Sequence, residues 1–461
     1  MNIKRFIGDR VFYRKLFAVM TPILVQNVIT NFVSLLDNIM VGQVGTEPMS
    51  GVAIVNQLLF VFNLCIFGGL AGPGIFSAQF YGKNDMKGVR DTFRIKLCVA
   101  AAAVLACVSI LICFGEELIS LFLHEGQEGL DLNATLNYGL DYLKVMLIQT
   151  LPFAVMNVYS SSMRETGETM LPMKAGVTAV FVNLVFNYIL IFGKFGAPAM
   201  GVVGAAVATV LARFVECFIV MFYTHRHSER HGYIIGAYAS LKVPGSLLKQ
   251  VGVMGMPLLI NELLWAGGTT TLNQCYSVRG LEVVSATNIS STVSNLFFCA
   301  FFAMGTTVSI IVGQLLGAGE LERAKDEDRK LIAFAVALCT VVGVVMVVLA
   351  PFIPEIYNTT DTVKDIASKL LIISAVLMPL HAYLNCSYFT LRSGGKTVIT
   401  FIFDSGFMWV MSIPLAFVLS RFTAMPIVPM FAAVEGLNVF KAILGYVLLK
   451  KGTWVNNIVS E

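Results

Sequence analysis

The first half of this 461-residue chain is repeated in its second half at a fixed distance of 235 residues. Pro22 aligns with Pro257, and the same register continues without a gap for about seventy residues, to Arg94 and Arg329. A chain built from two related halves is expected to fold into two related lobes. In membrane proteins of this kind the substrate site usually lies between the halves, near the bilayer midplane. The repeat therefore predicts a two-lobed architecture and points to transport.

The composition is that of an integral membrane protein. Apolar residues make up 57% of the chain and charged residues 13%, whereas soluble domains carry roughly 25% charged residues. A basic N-terminal stretch runs directly into an apolar segment, so we expect no cleavable signal peptide. None of the nine cysteines forms a CxxC pair, and no His or Cys cluster has metal-ligand spacing. The net charge of +4 does not indicate nucleic-acid binding, because Lys and Arg are concentrated in alternate loops between the apolar runs, as described below.

Twelve apolar runs are long enough to cross a bilayer, which requires about 20 helical residues. They lie at about 14–40, 52–80, 94–115, 138–163, 172–193, 200–223, 248–276, 285–315, 330–350, 367–391, 397–420 and 427–449.

The loops between these runs alternate in charge. One set of alternate segments, including the N-terminus, carries 24 Lys and Arg, and the other set carries five. The positive-inside rule places both termini in the cytoplasm, and we expect a multi-pass protein of the bacterial cytoplasmic membrane. Six spans per half make the repeats parallel rather than inverted. We predict an N-terminal lobe over 1–224, a cytoplasmic linker over 225–247 and a C-terminal lobe over 248–461.

Several motifs together carry a family resemblance. They are Asp37-Asn38-Ile39-Met40-Val41-Gly42, Gln79-x-x-Gly82 with its twin Gln314-x-x-Gly317, Arg164-x-x-Gly167-x-Thr169 with its twin Arg392-x-x-Gly395-x-Thr397, and Asn183-x-x-x-Asn187-Tyr188. In this order and spacing they resemble the multidrug and toxic compound extrusion (MATE) family, over the whole chain.

This resemblance implies an all-α membrane protein with twelve transmembrane helices in two parallel-repeat six-helix lobes around a central cleft. It implies a secondary active antiporter that exports organic cations or drugs in exchange for Na⁺ or H⁺ by alternating access. The expected partners are cationic or amphipathic small molecules and the lipid bilayer. We expect a monomer that needs no cofactor and binds no nucleic acid, and not an enzyme.

Ionisable side chains inside spans are costly and are candidates for function. In the N-terminal half Asp37 follows an apolar run, and Asn183 and Asn187 lie one helical turn apart on one face of span 5. A carboxylate with amide oxygens suits Na⁺, whereas a lone buried carboxylate suits H⁺. The resemblance implies that Asp37 is a coupling residue, and some family members carry an Asp at the position of Asn187. A carboxylate at the water interface is the alternative interpretation of Asp37.

The C-terminal half contributes Glu262, Asp404 and His381 as candidate coupling or substrate residues. Glu262 lies near the predicted bilayer centre, and a hydrogen-bonded structural role is its alternative. Asp404 lies eight residues into span 11. His381 takes the position of a coupling Asp in some relatives, and it is either a proton relay or a satisfied core histidine.

Four further side chains are weaker candidates for the substrate cleft. They are Gln26, Asn27, Asn261 and Trp265. Gln26 and Asn27 are the repeat-mates of Asn261 and Glu262, so both halves carry polar side chains shortly after the aligned prolines. Sodium-coupled family members place an acidic residue where this chain has Trp265, so Glu262 matches that motif inexactly.

Two other functions stay open. A lipid-linked precursor flippase shares the two-lobe architecture, but such proteins usually have extra spans and a strongly cationic cleft. A membrane enzyme would require a polar catalytic constellation such as paired Asp motifs or His-rich loops, which the sequence lacks. The antiporter is the favoured interpretation.

Overall fold

The computed structural model describes residues 3–123 and 131–460, and throughout these ranges the regular structure is helical. Twelve helices are long and apolar enough to cross a membrane. They are α1 (Arg10–Gly42), α2 (Thr46–Gly82), α3 (Met86–Ser120), α4 (Leu132–Glu165), α5 (Met170–Phe192), α6 (Gly201–Arg226), α7 (Gly245–Ser277), α8 (Leu281–Gly317), α9 (Leu321–Leu349), α10 (Asp361–Ser393), α11 (Thr397–Phe422) and α12 (Ile427–Lys451). The twelve predicted spans are confirmed.

The spanning segments are helical because they lie in the hydrocarbon of a lipid bilayer. Hydrocarbon offers no hydrogen-bond partners, so a spanning segment must satisfy its own backbone, and a helix does so within one segment. The helix ends are closed by local chemistry. Asp131 Oδ1 accepts from the backbone amides of Asn133 and Ala134 at 3.0 Å each and caps α4. Gly193 ends α5 in the left-handed conformation, with φ of +65°.

The internal repeat is visible in the helix boundaries. Helices α1 and α7 each have 33 residues, and α2 and α8 each have 37. The first residues of these pairs, Arg10 with Gly245 and Thr46 with Leu281, differ by 235 positions. The third pair starts at Met86 and Leu321 and keeps the same offset. The sequence repeat is therefore also a structural repeat.

The described residues group into two compact units. The N-unit comprises 25–77, 86–123 and 131–250, and the C-unit comprises 3–24, 78–85 and 251–460. The C-unit thus includes the first half of α1 and the end of α2. The lobe boundaries predicted from the sequence, 1–224, 225–247 and 248–461, stay a prediction, and their outermost residues lie outside the described ranges.

Within the N-unit, α5 packs on α6, and α4 packs on both α3 and α6. Small residues permit the closest crossings. A Cβ on Gly51 of α2 would lie 2.7 Å from the Thr135 carbonyl oxygen and 2.8 Å from the Gly139 amide nitrogen of α4. A Cβ on Gly204 of α6 would lie 2.7 Å from the Leu190 carbonyl of α5. These glycines let the helix backbones approach closely.

The segment between α6 and α7 folds back on the N-unit. Arg94 of α3 donates to the carbonyl oxygens of Gly236 at 2.8 Å and Ala237 at 3.0 Å. Arg90, one turn earlier, donates to the Tyr233 carbonyl at 3.3 Å. Two arginines of α3 thereby hold the backbone of this irregular segment against the N-unit.

The C-unit is built around α10, which packs on α8, α9 and α12. The first half of α1 adds Leu16, Met20 and other apolar side chains to the core formed with α8 and α10. Helix α11 is irregular, because its segments Ile402–Gly406 and Met408–Ser412 are π-helical. Such segments widen a helix locally and occur frequently at functional sites.

The C-terminal tail after α12 is bound into the C-unit. The buried Gln79 at the end of α2 donates to the Ser393 carbonyl at 2.9 Å and to the Asn456 carbonyl at 3.2 Å. Its Oε1 accepts from the Ile458 amide at 2.9 Å, and Lys83 donates to the Val459 carbonyl at 2.6 Å. The tail therefore ties the end of α2 to the end of α10.

Candidate functional site

The three N-terminal candidates lie together in the N-unit. Asn187 Nδ2 donates to Asp37 Oδ1 at 2.7 Å, and it also lies 3.1 Å from Asn183 Oδ1. Asp37 comes from α1, and both asparagines come from α5, where a four-residue spacing puts them on one face. Thr209 of α6 contacts the Asn183 amide at 3.2 Å. Three helices thus enclose one carboxylate with two buried amides.

Two orientations of the Asn183 amide can be compared, and its hydrogen-bond partners favour the second. In the first, Oδ1 would face the Asp37 carboxylate, and the facing oxygens would require a proton or a cation between them. In the second, Nδ2 donates to the two Asp37 oxygens at 2.8 and 3.1 Å, and Oδ1 accepts from Thr209 at 3.2 Å. The second orientation satisfies an ionised carboxylate without any added ion.

Further polar groups lie around Asp37. The Tyr142 hydroxyl, which donates to Asn56 at 3.2 Å, lies close enough to Asp37 to interact with it electrostatically. Arg213 is a further electrostatic neighbour of Asp37, and it pairs with Glu216 at 2.8 Å. These two residues are three positions apart on α6, which places their side chains next to each other. Arg213 is thus shared between Asp37 and another carboxylate.

Two further buried networks of the N-unit lie on α4. Arg164 donates to Gln26 Oε1 at 2.9 Å, so this predicted cleft residue is engaged by an arginine. Lys96 of α3, which is fully buried, contacts Glu165 at 2.5 Å and the hydroxyls of Ser161 and Ser162 at 3.2 and 3.1 Å. Asn27 is the other predicted cleft residue of this half. It follows Gln26 in the chain, and its side chain is partly buried.

In the C-unit, Asp404 lies at the centre of a polar network that joins α7, α11 and α12. Lys441 of α12 contacts Asp404 Oδ1 at 2.7 Å, and Asn261 of α7 donates to Asp404 Oδ2 at 3.2 Å. Asn261 Oδ1 in turn accepts from the Ser405 amide at 3.2 Å and from the Ser405 hydroxyl at 2.7 Å. These two bonds fix the orientation of the Asn261 amide. The π-helical turn makes the Ser405 amide available for this purpose.

Glu262 lies at the edge of the same network. Its carboxylate is close to the Tyr388 hydroxyl, with Arg392 and Asp404 as charged neighbours. Asn261 Nδ2 lies 3.4 Å from the Tyr388 oxygen and so links Glu262 to Asp404. The structure therefore brings Glu262, Asn261 and Asp404 together, although they come from two helices separated by about 140 positions in the chain.

His381 lies apart from this network. Its Nε2 is 3.4 Å from Glu435 Oε2. The centre of its ring lies 6.0 Å from the ring centre of Phe298 and 6.2 Å from that of Phe301. The histidine thus has an acidic partner in a partly aromatic environment. Trp265 is partly buried on α7 next to Leu264, whose carbonyl accepts from Trp409 Nε1 at 2.9 Å.

These arrangements differ in what they can bind. The Asp37 group offers one carboxylate and two amides that can present oxygen, a set suited to Na⁺ or to H⁺ but not to a tightly held transition metal. Among residues 3–123 and 131–460, no group of three or more His, Cys, Asp and Glu side chains could hold a metal ion. The Asp404 group already contains its own cation.

Sequence reasoning missed several members of these sites. Lys441, Glu435, Tyr388 and Ser405 were not singled out, and neither were Thr209 and Tyr142. Lys441 did carry a signal, because it is an isolated cation within an apolar span. The hydroxyl residues carried none, because serine, threonine and tyrosine are common in such helices and their partners are distant in sequence.

Comparison with known proteins agrees with this fold. A model of the MatE family matches residues 22–189 and 257–418. The chain is 24% identical over 455 residues to the "Probable multidrug resistance protein NorM" of Thermotoga maritima, covering 97% of this chain and 94% of that protein. It is 25% identical over 408 residues to the "Multidrug resistance protein MdtK" of Pectobacterium atrosepticum, covering 88% and 87%. The crystal structure of a mutant of the Vibrio cholerae MATE transporter VcmN superimposes with a TM-score of 0.86 at 18% identity, over 97% and 98% of the chains.

Proposed function

Because this chain belongs to the MATE family of multi-pass membrane transporters, we propose that it exports organic cations and related drugs in exchange for Na⁺ or H⁺. The names of the similar NorM and MdtK proteins, which are multidrug resistance proteins, support this substrate class. The proposed location is the bacterial cytoplasmic membrane with both termini inside, which the distribution of Lys and Arg supports. The proposed transporter acts as a monomer and needs no cofactor beyond the transported ion.

The observation that carries this proposal is the enclosure of Asp37 by Asn183 and Asn187. A carboxylate inside a span is costly unless it is used, because its ionised form loses water on burial. Here the carboxylate has a direct donor at 2.7 Å and a second amide whose Nδ2 reaches both of its oxygens, at 2.8 and 3.1 Å. The site thus satisfies the ionised carboxylate, and rotation of the Asn183 amide would present its oxygen to an ion instead.

The proposed coupling step follows from these two orientations. In the ion-free state, Asn183 turns its Nδ2 to the ionised Asp37 and donates to both oxygens. When H⁺ or Na⁺ arrives, Asn183 turns its Oδ1 toward the site, where it accepts from a protonated Asp37 or ligates Na⁺. Binding of the ion thus changes the hydrogen bonds between α1 and α5, which is the local change that alternating access requires.

Efflux from everted vesicles with an imposed Na⁺ or H⁺ gradient tests the function. We expect wild-type protein to move a cationic dye such as ethidium when one of the two gradients is present, and to stop when that gradient is dissipated. The Asp37→Asn variant should lose at least about 90% of gradient-driven transport, because an amide cannot gain or lose a proton and is a poorer Na⁺ ligand.

Asp141→Asn is a matched control. Asp141 pairs with Lys144 at 3.0 Å on an exposed face of α4, and this variant should transport like wild type. Normal ion-driven transport by Asp37→Asn, at equal amounts of inserted protein, would remove Asp37 from the mechanism. Absence of any gradient-driven dye transport by wild type, over a panel of cationic and amphipathic dyes, would reject the proposed function itself.

A further inference from the structure

The C-unit holds a lysine in the middle of a membrane span. Lys441 lies 14 residues after the first residue of α12 and ten before its last, or ~21 and ~15 Å at helical rise. Its side chain is 12% exposed, and that of its partner Asp404 is 22% exposed. A charge at this depth is costly and calls for a specific role.

The surroundings of the Lys441 ammonium resemble a binding site for an organic cation. Nζ lies 2.7 Å from Asp404 Oδ1 and 5.2 Å from the centre of the Phe403 ring. A carboxylate and an aromatic face are the two groups that proteins use to bind quaternary and other organic cations. The second Asp404 oxygen is held by Asn261, whose amide is fixed by Ser405. The carboxylate is thus presented in one orientation, with a cation already bound to it.

The equivalent place in the N-unit lacks this carboxylate. The twin motifs starting at Arg164 and Arg392 differ by 228 positions, and the same offset sets Gly176 opposite Asp404. A Cβ on Gly176 would lie 2.9 Å from Gln26 Nε2 and 3.4 Å from Glu216 Oε1. Gly176 therefore has neighbours on α1 and α6 as Asp404 has neighbours on α7 and α12, and the same offset sets Arg213 opposite Lys441. The N-unit keeps the cation but pairs it with Glu216 of the same helix at 2.8 Å, so the repeated fold does not require an ion pair between these two helices.

We propose that Lys441 is a tethered occupant of a cation site formed by Asp404 and Phe403, and that a transported organic cation competes with this lysine for the site. The inference rests on the proposed export of organic cations. Lys441 is then a specificity-determining residue. It restricts the site to hydrophobic monovalent cations that bind the ring and the carboxylate well enough to displace an ammonium held at high local concentration.

Direct binding of tritiated tetraphenylphosphonium to purified, full-length protein in nanodiscs tests the inference. A tethered competitor has an effective concentration on the order of mM or more. Its removal in Lys441→Met should therefore lower the Kd for tetraphenylphosphonium by about tenfold or more. Lys441→Arg keeps a tethered cation and should bind like wild type. The double variant Lys441→Met with Asp404→Asn removes the carboxylate as well and should lose the gain.

Lys144→Met is the matched control, because Lys144 forms an exposed pair with Asp141 and should leave the Kd unchanged. A Kd for Lys441→Met equal to or higher than that of wild type, in protein that remains monodisperse, would overturn the inference. If wild type neither binds nor exports the probe, a gain of binding in Lys441→Met still supports the tethered occupant, whereas the proposed function is rejected only when the whole dye panel also fails to be transported.

A second measurement does not depend on the folding of any variant. Reductive methylation of wild-type protein, followed by mass spectrometry, reports how accessible each lysine is. Saturation with tetraphenylphosphonium should increase the methylation of Lys441 relative to Lys144, because the bound probe displaces Lys441 from Asp404. An unchanged ratio at saturating probe would contradict the competition.

Discussion

In each unit a charged side chain on the third helix of the repeat is buried against a hydroxyl of the fourth helix, but the two charges are opposite. In the N-unit, Lys96 of α3 contacts the Ser162 hydroxyl at 3.1 Å. In the C-unit, Thr390 of α10 donates to Asp328 of α9 at 2.5 Å. Ser162 and Thr390 are equivalent, since each lies two residues before the arginine of its twin motif.

The chemistry of the hydroxyl explains why this inversion is possible. A hydroxyl both accepts and donates, so it can accept from an ammonium or donate to a carboxylate at the same position. The charged residues themselves do not correspond, because the repeat-mate of Lys96 is Leu331 and that of Asp328 is Phe93. The comparison teaches that the two units keep an equivalent hydroxyl at this helix contact, while the charge that it binds differs in sign and comes from a different position of the neighbouring helix.

Removing the counter-charge in the N-unit should have the largest effect on stability. Lys96 is fully buried, and Glu165 is the acid that contacts it, at 2.5 Å. Glu165→Gln should therefore lower the free energy of unfolding by about 3–5 kcal/mol, because it leaves a buried charge uncompensated. Equilibrium unfolding in mixed SDS and dodecyl maltoside micelles measures this change.

Lys144→Met gives the baseline for that measurement, since the exposed pair of Lys144 and Asp141 should contribute less than about 1 kcal/mol. Adding Lys96→Met to Glu165→Gln should recover much of the lost stability. A Glu165→Gln protein as stable as wild type would mean that the serine hydroxyls alone satisfy Lys96, and the two units would then be more alike than their charges suggest.

Removing the hydroxyl in the C-unit should have a smaller effect. Thr390→Val keeps the shape of the side chain but leaves the buried Asp328 without its 2.5 Å donor. The expected loss is about 1–3 kcal/mol of unfolding free energy, which is typical of an unsatisfied buried polar group. Thr390→Ser should restore it in the same detergent titration. A loss in Thr390→Ser as large as that in Thr390→Val would assign the effect to the methyl group instead.

The smallest expected change in stability concerns the residues at the helix crossings. The repeat-mate of Gly51 is Ala286 of α8, which is fully buried in the C-unit. The C-unit thus carries a methyl group where the N-unit has none. Ala286→Gly should lower the unfolding free energy by about 1 kcal/mol through helix propensity. Thermal unfolding, with wild type alongside, checks this value, and a stabilised variant would show that the methyl group strains the C-unit.

Much of the fold could be predicted from the sequence, because it depends on patterns that a single chain displays. The apolar runs predict twelve helices, and the 235-residue register predicts which helices correspond. Asn183 and Asn187 could be placed on one face from their spacing alone. Their contact with Asp37, 150 positions from Asn187, was expected from the family resemblance rather than from geometry.

The partners of the other buried polar groups could not be predicted. Gln26 is a candidate for the cleft in the sequence, yet its Oε1 is bound by Arg164, 138 positions later. Nothing in the local sequence at Asp404 signals a π-helical turn or a lysine 37 positions away. Such pairs depend on how helices pack, and helical periodicity specifies which face a residue occupies but not what lies opposite.

The anchoring of Gln79 by the C-terminal tail sets an order for biosynthesis. Gln79 lies in the first fifth of the chain, and its partners Asn456 and Ile458 follow 377 and 379 positions later. At about 5–20 residues per second, the ribosome reaches them roughly 20–75 s after it has passed Gln79. The end of α2 must therefore wait for residues 456–459 before Gln79 and the nearby Lys83 have all of these partners. The native contacts at the end of α2 are thus completed only after α12 has been synthesised.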